Sequence, residues 1–161
     1  MIVVSNAGPL IALAKISQLP LLQALFEELV IPEEVHREIV VRGKGKPGAE
    51  KVARAEWIKV KRVSELGVAI LATELDRGEA EAIILAKELN AELLLLDEKI
   101  PRELAKSLGL KVAGTLALLH AGLQRGVLDG ELEEFIQQLK RKGVWLSEEV
   151  VEEARRLKPQ V

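Results

Sequence analysis

Four oxygen-bearing side chains are spaced so that they could work together: Asn6, Glu38, Glu79 and Asp97. Asn6 follows a short apolar β-branched run, and Asp97 follows the uninterrupted run Leu93–Leu96. In an open α/β sheet, sites gather beyond the carboxyl ends of strands, so both are expected at one edge. Glu79 opens a helical stretch, and Glu38 lies on the helix that follows a second strand. Three carboxylates converging from separate elements repel one another unless a cation binds. Oxygen donors of this kind favour Mg²⁺ or Mn²⁺. Such ions bind phosphates and activate water for in-line attack.

Each residue also has a plainer reading. Glu79 can serve as a first-turn acid complementing the helix dipole. Glu38 can be a solvated helix residue, Asp97 a helix N-cap, and Asn6 a turn residue before Gly8-Pro9. Asp76, Glu81 and Glu98 are acidic neighbours that could substitute for the chosen set.

The elements that must position these residues follow from apolar periodicity. Residues 1–5, 29–31, 57–60, 93–96 and 111–113 read as strands. Helical spacing predicts helices from Pro9, over 20–26, from Pro32, and over 65–73, 78–90, 98–108, 114–125, 129–141 and 147–157. Alternation of strands and helices predicts α/β architecture with a mostly parallel central sheet. At 161 residues the chain is expected to be one domain, 1–161, with 129–161 a C-terminal helical extension packed on it.

Composition removes several function classes. With 48% hydrophobic and 30% charged residues, the chain is not of disordered composition. The absence of cysteine excludes disulfides, thiolate zinc sites and thiol nucleophiles, and accords with a cytoplasmic location. No apolar run reaches the ~20 residues of a membrane span, and MIVVSNAGPL lacks the basic start of a secretory signal. Aromatics are only 2%, which disfavours a base-stacking platform. Trp57 and Trp145 are expected to be packing anchors.

The net charge of −2 conceals a pattern. Residues 42–62 carry +6 and residues 63–103 carry −6. Lys44, Lys46, Lys51 and Arg54 in the basic segment, with Arg102 after Asp97, are candidates for gripping a phosphate backbone. An ordinary solvated surface, or a salt bridge for Arg102, is the competing reading. Gly43–Gly48 matches G-x-G-x-x-G, but it follows a helix and contains Pro47, so a dinucleotide site is not expected. His36 and His120 are too isolated to form a metal pair.

Several segments together resemble the PIN-domain superfamily, in a branch of short prokaryotic PIN-like proteins of unknown function. They are VVSNAGPLIALAKI (3–16), VIPEEVHREI (30–39), GEAEAIILAKEL (78–89), LLLLDEKIPRELAKSLGLKVAGTLALL (93–119) and WLSEEV (145–150). The resemblance implies a three-layer α/β/α sandwich with a parallel sheet. It implies a Mg²⁺- or Mn²⁺-dependent ribonuclease, as in the VapC-type toxins of toxin–antitoxin pairs. It further implies RNA as substrate, an antitoxin as protein partner, and a homodimer. The family's acidic quartet maps onto Asn6, Glu38, Glu79 and Asp97, with one departure. Asn6 stands where the family has Asp, which keeps a ligating carbonyl and removes one negative charge. Gly8 stands where a Ser or Thr often follows. Two alternatives remain open: a PIN-like module that binds RNA or protein without cleaving, and a phosphorylatable receiver-like domain, which would need paired acids at the first strand.

Overall fold

The computed structural model describes residues 1–157. Five strands form one sheet in the order β3-β2-β1-β4-β5, parallel throughout. They are β1 (Val3–Ser5), β2 (Leu29–Pro32), β3 (Ile58–Lys61), β4 (Leu93–Leu95) and β5 (Val112–Ala113). The helices are α1 (Ala7–Lys15), α2 (Pro20–Phe26), α3 (Glu33–His36), α4 (Ala49–Arg54), α5 (Glu65–Leu71) and α6 (Arg77–Glu88). After these come α7 (Lys99–Ser107), α8 (Thr115–Gln124), α9 (Leu132–Arg141) and α10 (Glu148–Arg155). A π-helical segment, Arg37–Val41, continues α3 without a break. None of these helices is long and apolar enough to cross a membrane.

The layers follow from the two-residue period of a strand. Val3, Leu29, Ile31 and Leu95 point into one apolar layer, built with α1, α2, the α3–π helix, α4, α8, α9 and α10. Val4, Val30, Leu94 and Leu96 point into the other, built with α5, α6 and α7. Helices thus cover both faces, which is why β1 and β4 read as continuous apolar runs. The result is the α/β/α sandwich expected from the sequence. Phe135, Ile136 and Leu139 of α9 and Val151 and Ala154 of α10 enter the first layer as core residues.

Strand order fixes where a site can form. The chain winds from β1 through β2 to β3 on one side, then crosses to β4 and β5 on the other. The crevice between the carboxyl ends of β1 and β4 is therefore the topological switch point. Val3, Val4 and Ser5 pair with Leu93, Leu94 and Leu95, so both strands deliver their next residues to that crevice. Those residues are Asn6 and, one step beyond Leu96, Asp97.

One tryptophan departs from expectation. Trp57 packs partly against the core, but Trp145 is 83% exposed and anchors nothing. Val144 and Leu146 take the inward positions of that connection instead.

Candidate functional site

Asn6 occupies the N-cap position of α1 in extended backbone, and its side chain makes no capping bond. Its backbone N–H is spent on Leu95 O at 3.0 Å, extending the β1–β4 ladder. The amide carbonyl is thus left for something other than the helix end. Glu38 comes down from β2 on the π-helical segment and is half-buried.

Asp76 and Glu79 form a reciprocal pair at the start of α6. Asp76 Oδ1 accepts the Glu79 N–H at 2.7 Å, and Glu79 Oε1 accepts the Asp76 N–H at 3.1 Å. This capping box satisfies two orphan donors and fixes both carboxylates on the rim of the sheet. The plainer reading of Glu79 as a helix-start acid is therefore real, and it coexists with a place in the cluster.

Gly78 shows how these groups converge. A Cβ built there would lie 3.4 Å from Glu38 Oε1, 3.5 Å from Asp76 Oδ1 and 3.6 Å from Asn6 Oδ1. Three oxygens from three elements surround a space that only glycine leaves open. Asp76, named in the sequence only as a substitute acid, is a full member of this group.

The electrostatics agree with the geometry. Burial pushes the Glu79 carboxyl up to about 7, and Asp76, Glu98 and Glu38 push in the same direction against the Asp76 hydrogen bond. Burial also raises Glu38, helped by Asp76 and Glu34 and opposed by Arg42. Burial is the larger cause for both Glu38 and Glu79, and an added cation would favour their charged forms.

Asp97 is held differently. Thr115, the first residue of α8, donates its N–H to Oδ1 and its hydroxyl to Oδ2, each at 2.7 Å. Asp97 does not cap the next helix, where Glu98 stands at the N-cap. Burial raises its carboxyl, and the Thr115 bonds and the Arg102 charge oppose that rise. Two glycines give it room: a Cβ on Gly8 would sit 3.5 Å from Oδ2, and one on Gly114 only 2.8 Å from Oδ1. The charge that acts on Asp97 is that of Arg102, whereas the Glu38 charge acts on Glu79 and the Asp76 charge on both. The site is thus two adjoining groups, Asn6–Glu38–Asp76–Glu79 and Asp97–Thr115–Arg102, linked through the turn at Asn6–Gly8.

Glu81, the other near substitute, has a structural task. Buried to 2% exposure, it accepts the Glu34 N–H at 3.2 Å and the Arg77 Nε–H at 2.8 Å. Glu34 in turn pairs with Arg37 and Arg42. This network clamps α3 to α6 and so sets Glu38 against the capping box.

The basic candidates divide. Lys51 and Arg54 lie at the end of α4 just before β3, at the amino-terminal edge of the sheet, beside Leu19, Pro20 and Trp57. Asp97 lies at the carboxyl edge. Lys44 and Lys46 are exposed in the turn that follows the π-helical segment. The basic residue whose charge acts on Glu38 is instead Arg42, which pairs with Glu34, while Arg62 pairs with Glu33 at 3.6 Å. Arg102 stands with Asp97, and its buried Nε has no hydrogen-bond partner.

The donor set is entirely oxygen, carboxylate plus amide carbonyl, which is the chemistry of a hard divalent cation. The Gly78 space and the raised Glu38 and Glu79 carboxyls fit such an ion. Among the described residues no three His, Asp or Glu side chains already stand grouped as a metal site. Asn6 supplies the third donor that carboxylates alone do not.

Comparisons with known proteins complete the description. A family model described as PIN domain matches residues 2–159. A solved structure of a PilT N-terminus domain protein from the hyperthermophilic archaeon Sulfolobus solfataricus P2 superposes with a TM-score of 0.55. The two are 24% identical over 76% of this chain and 94% of that chain, a likeness that establishes fold. No curated protein matches the sequence.

Proposed function

The chain belongs to the PIN-domain family, whose members are generally nucleases, and on that premise we propose that it is a divalent-metal-dependent ribonuclease. The observation that carries this reading is the set of three oxygens around Gly78, from Asn6, Glu38 and Asp76, beside Glu79 at the β1–β4 switch point. Glu38, Glu79 and Asn6, together with Asp76, would hold Mg²⁺ or Mn²⁺, and Asp97 in the adjoining group would complete the site. When bound, the ion supplies charge neutralisation at the phosphodiester and a lowered pKa for attacking water.

The chain's own residues do the rest. Thr115 fixes the Asp97 carboxylate in one orientation. The Asp76 N–H, donating to Glu79 Oε1, holds the Glu79 carboxylate on the rim of the site. Arg102 stands next to Asp97 with an unpartnered Nε, a donor for the substrate. RNA is the proposed substrate, and a toxin role with an antitoxin partner, a homodimeric state and a cytoplasmic location belong to the same reading.

Asn6 favours a second reading, a catalytically weak module that binds RNA or a protein. It gives the cluster one negative charge fewer than four carboxylates would. One experiment separates the two. Labelled RNA is incubated with Mn²⁺ and either the protein or Asp97→Asn. Cleavage by the first alone supports the ribonuclease; equal cleavage by both, or none by either, overturns it. Micromolar RNA binding that survives EDTA and Asp97→Asn would then support the module.

A further inference from the structure

Beside Asp97 lies a cavity of about 140 Å³ between α7, the start of α8 and α10. That is well under the ~300 Å³ of the smallest drug-sized pockets. It suits a single ring system or a single oxyanion. Its walls are mostly aliphatic, from Leu116, Leu146, Val150 and Leu157. Two ionised side chains line it besides Asp97: Arg102, whose buried Nε has no hydrogen-bond partner, and the exposed Glu153.

The charge balance decides between the two occupants. One guanidinium faces two carboxylates, Asp97 and Glu153, so an anion entering here meets net repulsion. Each Asp97 oxygen accepts one bond from Thr115, and what acceptor capacity remains belongs to the proposed ion site. What is left to offer is one set of donors, on Arg102, and one acceptor, on Glu153, between aliphatic walls. The complementary ligand is flat and neutral, with acceptors along one edge and donors along another. Among nucleobases guanine has that pattern: O6 and N7 accept, while N1–H and the 2-amino group donate. Arginine to guanine O6/N7 is the commonest specific pairing of side chain and base.

We propose that this cavity receives a guanine base of the RNA next to the cleavage position, with Arg102 donating to O6/N7 and Glu153 accepting from N1–H and the 2-amino group. The inference rests on RNA being the substrate and gives the site a base preference. Adenine places a donor at C6 where Arg102 needs an acceptor, and is rejected.

The test uses mononucleotides without metal, so it does not depend on cleavage. GMP, IMP, AMP and inorganic phosphate are titrated into the full-length protein while the methyl NMR resonances of Leu146 and Val150 are followed. The expected order is GMP tightest, IMP weaker for want of the 2-amino group, and AMP about tenfold or more weaker than GMP. Glu153→Gln, an exposed substitution that leaves the core untouched, should erase the GMP-over-IMP difference. Arg102→Gln should erase the GMP-over-AMP difference. Equal affinity for the three nucleotides, or inorganic phosphate producing the same shifts, would overturn the proposal. Guanine selectivity in a protein that cleaves nothing sustains the pocket and defeats the ribonuclease reading; cleavage without selectivity does the reverse.

Discussion

Thr115 donates to both carboxylate oxygens of Asp97, its N–H to Oδ1 and its hydroxyl to Oδ2. The backbone bond survives replacement by valine or serine, but the hydroxyl bond survives only in serine. Thr115→Val keeps the shape and leaves Oδ2 without its partner, whereas Thr115→Ser keeps the bond. Residues that orient a metal-binding carboxylate typically contribute ~10–100-fold in metal affinity or activity. The valine variant should lose Mn²⁺ affinity and RNA cleavage within that range, and the serine variant should retain most of both. Calorimetric Mn²⁺ titration alongside a cleavage assay checks this.

Glu79 makes the metal-free protein sensitive to pH. Its carboxyl rises from 4.5 in the unfolded chain to about 7 in the fold. The folded state therefore holds the proton more tightly, and stability from this group is full below pH 4.5 and declines as pH climbs to 7. Glu79→Gln keeps an acceptor for the Asp76 N–H and removes the titration. In EDTA, the variant's melting temperature should exceed the parent's by several degrees at pH 8 and match it near pH 4.5. An unchanged difference across that range would refute the assignment.

Gly78 allows stability and ion binding to be separated. A methyl group there would meet Glu38, Asp76 and Asn6 oxygens at 3.4–3.6 Å, ordinary contact distances. Alanine is also the better helix former by up to ~1 kcal/mol. Gly78→Ala should melt no lower than the parent, yet bind Mn²⁺ at least about tenfold more weakly, because an apolar atom fills the space among the donors. Gly114→Ala is the contrast. Its Cβ would stand 2.8 Å from Asp97 Oδ1, so it should lose ion binding and stability together.

Asn6→Asp restores a negative charge beside Glu38 and Asp76. Added like charge destabilises the metal-free cluster and strengthens its hold on a cation. The variant should melt lower in EDTA, bind Mn²⁺ roughly tenfold more tightly, and gain rather than lose cleavage. Weaker Mn²⁺ binding would show that Asn6 is no part of the ion site.

Glu81 should behave as a brace. Glu81→Ala leaves the Glu34 N–H and Arg77 without their buried partner, a cost of about 1–3 kcal/mol. For a domain of this size that is a fall of very roughly 2–12 °C in melting temperature. Any loss of cleavage should track the temperature at which the protein is assayed, which Glu79 variants should not do.

The parallel sheet and its carboxyl edge were legible in the sequence because the strands before Asn6 and Asp97 are buried on both faces and read as apolar runs. Asn6 and Asp97 followed from that alone. Glu38 needed the family pattern, since a half-buried acid on a helix has no local signature. The grip of Thr115 on Asp97 was out of reach: the two are 18 residues apart, and only tertiary packing joins them. Asp76 was readable in principle, as D-x-x-E at a helix start is a capping signature, yet that signature says nothing about Glu38 and Asn6 arriving at the same place. The basic run misled for a related reason. Charge counted along the chain ignores which end of a strand each residue reaches, so Lys51 and Arg54 were grouped with acids at the opposite edge of the sheet.

The π-helical segment has a consequence for descent. Arg42 N–H bonds to Arg37 O at 2.9 Å, five residues back instead of four. Such a turn contains one residue more than an α-helical turn, so the segment bears the mark of a single-residue insertion. Removing one residue between Glu38 and Val41 would rewind it as α-helix and leave the chain beyond it facing as before. Relatives lacking the turn should therefore align with a one-residue gap here, and a column-by-column comparison that ignores it would assign Glu38's counterpart to the wrong position.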